Sequence, residues 1–311
     1  MKTNRELIIV GGGSAGLSAA QYGARANLDV LVVEEMAPGG QALLIDELEN
    51  YPGISEPING YDFSELLRGQ AERFGAEFLT TNVVSIRKEG EGFVLETGDG
   101  ELRSEAVILA TGANHRHVGV PGESEFQGRG VSYCATCDGP FFKGKRIVVV
   151  GGGDAACDES MYLSKLTDKL LHIHRKDSFR AQKALASRVL NNKGIDVRFG
   201  TVTREIRGTK KVESVQLEEI STGRLYEEPA DAVFVFVGSE PRSSLAGNAA
   251  RDESGYLITN ERMETSIHGL FAAGDVRVTP FRQIITACSD GAIAAHAASQ
   301  YIDEVRGKAY A

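Results

Sequence analysis

The sequence predicts an α/β chain of two Rossmann-like dinucleotide-binding domains, of the three-layer ββα type, with the second inserted into the first. Three observations predict it. An apolar strand, a glycine turn, a helix and a second apolar strand open the chain. The same order returns about 140 residues later. Two Pro/Gly-rich stretches, 112–122 and 238–244, bracket the returning unit and read as hinges. The simplest division is a discontinuous first domain, 1–115 with 245–311, around a second at 116–244.

In order, Leu7 to Val10 is a buried-type strand that leads into Gly11-Gly12-Gly13-Ser14-Ala15-Gly16. Leu17 to Ala26 is small and helix-compatible, and Val30 to Val33 is a second strand tipped by Glu34 and Glu35. This is a βαβ unit with G-x-G-x-x-G in the required place. Strand character follows over Phe78 to Leu95 and Glu105 to Leu109, with turns at 90–92 and 98–100. In the second unit Ile147 to Val150 leads into Gly151-Gly152-Gly153-Asp154-Ala155-Ala156, with alanine at the last fingerprint position. A helix to about Leu166 and a strand at 170–173 complete it. Leu270 to Ala273 reads as a strand and Ile284 to Tyr301 as a helix.

One such glycine motif is a weak signal. Two, each after a buried-type strand, imply two dinucleotides, because glycines let backbone approach a pyrophosphate held at a helix N-terminus. The residue after the second strand separates the sites. Glu34 is placed to accept from a ribose hydroxyl, which favours FAD or NAD. The corresponding stretch of the second unit is His174-Arg175-Lys176-Asp177-Ser178-Phe179-Arg180, whose cations suit a 2′-phosphate and hence NADP.

Composition narrows the classes. Glycine is enriched at 36 of 311 residues, which fits many tight turns and close backbone approaches. A net charge of -9 argues against non-specific nucleic-acid binding. No apolar run approaches the roughly 18 residues of a membrane span, and the short run at 7–10 is too brief for a secretory signal. A cytoplasmic protein with reduced thiols is the expectation.

In that setting Cys134-Ala135-Thr136-Cys137-Asp138-Gly139 reads as redox or metal chemistry. Zinc would need about two more ligands at compatible spacing. Cys157 and Cys288 are isolated, and the H-x-H pairs 115/117 and 172/174 lack a nearby partner, so no metal is expected. A redox dithiol is the favoured reading, with a structural disulfide and a metal site as the alternatives. Such a dithiol needs a proton donor for the leaving thiolate, and Asp138 is adjacent; a turn role before Gly139 is a further reading that does not exclude the acid role. Cys157 and Cys288 are expected to be buried small hydrophobes.

These residues together resemble the low-molecular-weight, bacterial-type thioredoxin reductases of the pyridine nucleotide-disulfide oxidoreductase family, almost end to end. The likeness runs through the opening glycines, Pro38-Gly39-Gly40-Gln41, Glu49-Asn50-Tyr51-Pro52-Gly53, Ala110-Thr111-Gly112 and Val120-Pro121-Gly122-Glu123. It continues through the cysteine motif, the basic motif at 174–180, Ala273-Gly274-Asp275-Val276, and Arg282-Gln283-Ile284 leading to Asp290-Gly291. The resemblance implies an NADPH-dependent enzyme that passes electrons through FAD and the Cys134/Cys137 pair to thioredoxin, acting as a homodimer whose inserted domain rotates. It implies that Gly39, Gly40, Gln41, Asn50 and Val83 line the FAD, with Asp275 on the ribityl chain and Gln283 at the isoalloxazine edge. It implies that Cys137 lies nearer the flavin, that Cys134 is the distant thiol, and that Asp138 is the acid/base. Phe141 and Phe142 would then help dock thioredoxin, with ordinary core aromatics as the equal alternative.

Three departures bear on the donor. Lys176 stands where the resemblance leads one to expect a second arginine, Cys288-Ser289 replaces Ala-Gly, and the second turn carries Asp154, Cys157 and Asp158. The alternatives are therefore a FAD-dithiol enzyme with another donor or a small dithiol substrate, and a non-catalytic redox sensor.

Overall fold

The computed structural model describes residues 2–45, 48 and 50–308; Glu49 of the 49–53 motif lies outside them. The chain divides into two compact units, Met1–Asn114 with Glu240–Ala311, and His115–Ser239. In chain order the first runs β1 (Asn4–Val10), α1 (Ser14–Arg25), β2 (Val30–Glu34), α2 (Gly60–Arg73), β3 (Glu77–Thr80), β4 (Val83–Glu89), β5 (Gly92–Thr97), β6 (Gly100–Leu109) and β7 (Ala113–His115). The second holds β8 (Val131–Ser132), α3 (Ala135–Asp138), β9 (Ile147–Gly151), α4 (Asp154–Leu163), β10 (Leu170–Ile173), α5 (Lys183–Leu190), β11 (Ile195–Arg198), β12 (Thr201–Gly208), β13 (Val212–Glu219), β14 (Arg224–Pro229) and β15 (Ala232–Phe236). Strand β16 (Ser239–Pro241) leads back, and β17 (Leu270–Ala272) and α6 (Ile284–Val305) complete the first unit.

In the first unit the sheet order is β3-β2-β1-β6-β5-β4, with β17 also on β6. The strands β1, β2, β3, β6 and β17 pair in parallel, and β4–β5–β6 form an antiparallel curl. Alternation along β1 sends Leu7 and Ile9 into one core and Ile8 and Val10 into the other. The first core is closed by the alanine faces of α1 and α6, which approach so closely that a Cβ on Gly291 would lie 2.1 Å from the Ala15 carbonyl oxygen.

The second unit repeats the plan with the parallel order β11-β10-β9-β15-β8. One face (Val148, Val150, Leu171, Val233) meets Ile206, Val215 and Leu217 of the antiparallel β12-β13-β14 sheet; the other (Ile147, Val149, Phe234) meets Cys157 and Leu163 of α4 and Val189 of α5. Sheet, sheet and helices make the expected three layers in a two-Rossmann α/β fold.

Local expectations differ in detail. The run 78–95 turns at 90–91 as expected but is also interrupted at 81–82, and the strand expected from Glu105 already begins at Gly100. Helix α4 stops at Leu163 rather than Leu166, the next residues turning back through Leu166 N to Leu163 O at 2.9 Å. Helix α6 runs four residues past Tyr301. Helix α2 is absent from the sequence reading; Asn59 caps it by accepting from Asp62 N at 2.8 Å. Among the described residues no helix is long and apolar enough to cross a membrane.

Candidate functional site

At the first glycine turn Gly11 takes φ +105° and its N–H donates to Val33 O at 2.9 Å. A Cβ on Gly16 would lie 1.9 Å from the Gly11 carbonyl oxygen, so turn and helix can close only without side chains. Gly13 precedes Ser14 as the extended N-cap of α1. The Glu34 carboxylate folds onto this turn, accepting from Gly12 N at 2.6 Å and Met36 N at 3.1 Å. A second glycine pair closes in from 39–40: Gly39 N donates to Gly12 O at 2.7 Å, and a Cβ on Gly40 would lie 3.1 Å from Gly13 Cα.

Other expected residues join the same unit. Gln41 donates its side-chain amide to Ala113 O, Asn50 Nδ2 lies 3.3 Å from Gln283 Oε1, and Thr111 Oγ1 donates to Arg242 O at 2.6 Å. Ala110 N bonds Val10 O at 2.8 Å, and Gly112 has φ +69°. Gly274, at φ +75°, packs onto Ala15, and its N–H donates to Asp290 Oδ2, which Arg277 also holds at 3.0 Å. Burial pushes the neighbouring Asp275 carboxyl up, opposed by Arg282 and reinforced by Asp290. Arg282 stacks over the Tyr256 ring at 4.3 Å, and Gln283 caps α6 just before Ile284. Val83 packs into the strand core, and Glu35 pairs with Arg242 on the surface, so neither is drawn to the turn by the bonds seen here.

At the second turn Gly151 sits so that a Cβ would lie 2.5 Å from Phe236 O, whereas Gly153 faces open space. Asp154 opens α4 next to Ala155 and the buried Ala156; its Oδ1 accepts from Gln182 N at 2.7 Å. His174 occupies the place that Glu34 holds in the first unit: it is buried, and a Cβ on Gly152 would lie 2.2 Å from its ring. Burial pushes the His174 ring down, and Arg180, Arg175 and Lys176 push it further. Arg180 N donates to Gly152 O at 2.7 Å, which folds the basic loop back onto the glycines. Arg175, Lys176 and Arg180 are exposed, and among the described residues none forms an ion pair. Behind them, burial pushes His172 down to about 4.

Cys134 and Cys137 are joined as a disulfide with Cα atoms 5.4 Å apart. The one-turn helix α3 makes this possible: Cys134 is its N-cap, and Sγ accepts from Cys137 N at 3.2 Å. Asp138 closes the turn, its N–H donating to Cys134 O at 3.2 Å. A Cβ on Gly139 would lie 2.9 Å from Leu163 Cδ2, so α3 lies tight against α4. On that flank of α4, burial and then Asp158 push the Glu159 carboxyl up to about 7. Cys157 and Cys288 are free and buried, and burial with Asp154 pushes the Cys157 thiol up to about 11, which makes it inert. The aromatic pair separates: Phe141 is exposed, but Phe142 packs edge-on to Phe234 in the core at 6.0 Å. Phe142 is thus half-buried against the core and not half of an exposed pair. Among the described residues no cluster of three His, Cys, Asp or Glu could hold a metal ion.

Residues 5–294 match the model of the pyridine nucleotide-disulphide oxidoreductase family. A thioredoxin reductase of Treponema pallidum is 56% identical over 98% of this chain and 100% of that protein. The chain belongs to the thioredoxin reductases. One from Bacillus subtilis is 43% identical over 97% of this chain and 96% of its own. The crystal structure of thioredoxin reductase from Streptococcus pyogenes superposes with a TM-score of 0.93 at 40% identity, covering 98% of this chain and 100% of that one. In this thioredoxin reductase fold, sequence reasoning leaves Asp290, Gln182 and the surroundings of Tyr133 without roles. Only Asp290-Gly291 gave a signal, as a motif of the resemblance.

Proposed function

We propose that the chain is an NADPH-dependent thioredoxin-disulfide reductase that holds FAD in its first unit and works as a homodimer. The observation that carries the reading is the Cys134–Cys137 disulfide in the same unit as a glycine turn whose following loop carries Arg175, Lys176 and Arg180, none in an ion pair among the described residues. Both turns fit a dinucleotide. The first has closed glycine contacts and an acceptor at Glu34, with Asp275 and the bonded pair Asn50 and Gln283 in the same unit. The second has open backbone at Gly153 beside cations that suit a 2′-phosphate. Bound FAD would supply two-electron chemistry between nicotinamide and disulfide.

The protein's own part is thiol exchange. With the pair reduced, Cys134 attacks a sulfur of the thioredoxin disulfide, forming a mixed disulfide and releasing one thiolate. Cys137 then attacks Cys134 Sγ, restoring the Cys134–Cys137 bond and releasing the second thiolate. Asp138 carries a proton to the departing sulfur, so two electrons and two protons reach the substrate. Phe141, exposed beside the motif, is available for docking.

The test is anaerobic titration of the purified yellow protein with NADPH and NADH in parallel, followed by thioredoxin. The expected result is bleaching by NADPH, reoxidation by thioredoxin, and loss of thioredoxin-dependent turnover in Cys137→Ser with bleaching intact. Failure of NADPH to bleach the flavin overturns the donor assignment. A second reading, a different donor, is favoured by the Asp154 carboxylate at the start of α4, where a pyrophosphate would otherwise sit unopposed.

A further inference from the structure

Immediately before Cys134, Tyr133 enters a hydrogen-bond chain that the thiol chemistry above does not use. Its hydroxyl donates to Glu123 Oε1 at 3.0 Å, and His117 Nδ1 lies 2.7 Å from the Tyr133 hydroxyl oxygen. Glu123 is 1% exposed, and its carboxylate also accepts from Val118 N at 3.0 Å and Gly119 N at 2.7 Å. The proton count fixes the direction. A hydroxyl has one proton and a carboxylate only accepts, so Tyr133 gives its proton to Glu123 and His117 must present Nδ1–H. Burial and then Glu123 push the Tyr133 hydroxyl up, so it remains a donor.

The charged and titratable groups around this chain are few. His115 stacks on the Tyr133 ring at 5.2 Å, His117 meets it edge-on at 5.3 Å and stands 3.6 Å from Glu123, and Arg116 runs beside Gly238. On the other side, Ser132 Oγ accepts from Cys134 N at 3.1 Å. The residue that leads into the first cysteine is therefore held through both backbone and side chain, with its outer end in solvent at His117.

We infer that Tyr133, gripped between Glu123 and His117, is a positioning residue for Cys134, and that the charge on His117 sets how firmly it grips. An imidazolium gives a charge-assisted bond to the hydroxyl and an attraction to Glu123; a neutral ring gives only an ordinary hydrogen bond to the hydroxyl. A firm grip keeps Cys134 Sγ in reach of Cys137 N, which favours the Cys134 thiolate. The inference deepens the reading of Cys134 as the exchanging thiol, yet it can be tested without nicotinamide or thioredoxin.

The flavin-loaded protein is reduced with dithiothreitol, desalted and treated with iodoacetamide from pH 5.5 to 8.5, and the Cys134 to Cys137 labelling ratio is read by peptide mass spectrometry. In the unmodified protein the ratio rises about threefold towards the acid end, across the pH window in which histidines gain charge. His117→Gln keeps a donor without the charge and gives a flat profile. Tyr133→Phe gives a flat profile at the low value. The same profile in the unmodified protein and His117→Gln overturns the inference, whether or not Tyr133→Phe folds. Loss of thioredoxin turnover with an intact labelling profile would instead count against the function proposed above.

Discussion

At the first glycine turn an acid from the next strand folds back onto the Gly12 amide; at the second a buried histidine lies against Gly152, and cations follow it. Glu34 and His174 stand at the same separation from the middle glycine of their turns, so one backbone plan has been given two chemistries. The acid can receive a ribose hydroxyl. The histidine, held down by burial and by its cationic neighbours, fills space behind the turn, and on the function proposed an anion would fall to Arg175, Lys176 and Arg180. On the function proposed, the scaffold would set where a dinucleotide lies, and the residue at the tip of the second strand would set which kind.

The largest effect that would sharpen this contrast is steric. Gly16→Ala forces a Cβ against Gly11 O and should cost about 3 kcal/mol or more, giving colourless or insoluble protein. Gly153→Ala meets nothing within 4 Å and should leave flavin content and melting temperature unchanged. Absorbance at the flavin maximum and thermal melting check both, and equal damage from the two changes would break the comparison.

The next effect is electrostatic. Arg180→Ala should raise KM for NADPH about tenfold or more while leaving KM for NADH within about twofold, because only the former loses a charge-assisted phosphate contact. Equal changes for both donors would mean that the basic loop is a solvated surface.

A third test uses pH. The Glu159 carboxyl is raised from 4.5 to about 7 in the folded state, so the folded protein prefers the protonated form. The stability it permits is fully present below the unfolded value and is lost as pH rises through about 7. Glu159→Gln should therefore melt higher than the unmodified protein at pH 8 and with it at pH 4.5, a difference of about 1 to 3 kcal/mol, reduced by partial exposure. Calorimetry at the two pH values reads it.

The smallest effect concerns Asp154. Asp154→Asn removes an acid from the start of α4 and should lower KM for NADPH about two- to fivefold. Its loss of stability should be slight, since asparagine can still accept from Gln182 N.

Much of this architecture can be read locally. Apolar runs of four residues before a glycine turn demand buried parallel strands, and their repetition demands two such units, because periodicity and turn chemistry are properties of adjacent residues. The spacing of Cys134 and Cys137 likewise suffices for a disulfide across one helical turn. Within the strand run at 78–95 the turn at 90–92 was legible, but the break at 81–82 was not, since there the chain passes from a parallel partner, β2, to an antiparallel one, β5.

What the tertiary structure alone decided involves residues far apart in sequence. Phe142 packs half-buried onto the core because Phe234 is beneath it, and Asp154 is engaged because α5 brings Gln182 to it. Asp290 holds Gly274 in place only because α6 returns beside that turn. The Tyr133 hydroxyl, which any local reading would leave as a surface group, is held by a carboxylate ten residues earlier that is itself buried. Local sequence determined the two glycine cradles and the dithiol. Long-range packing decided which of their polar neighbours are already engaged, because burial and hydrogen-bond partners are set by the fold around a residue.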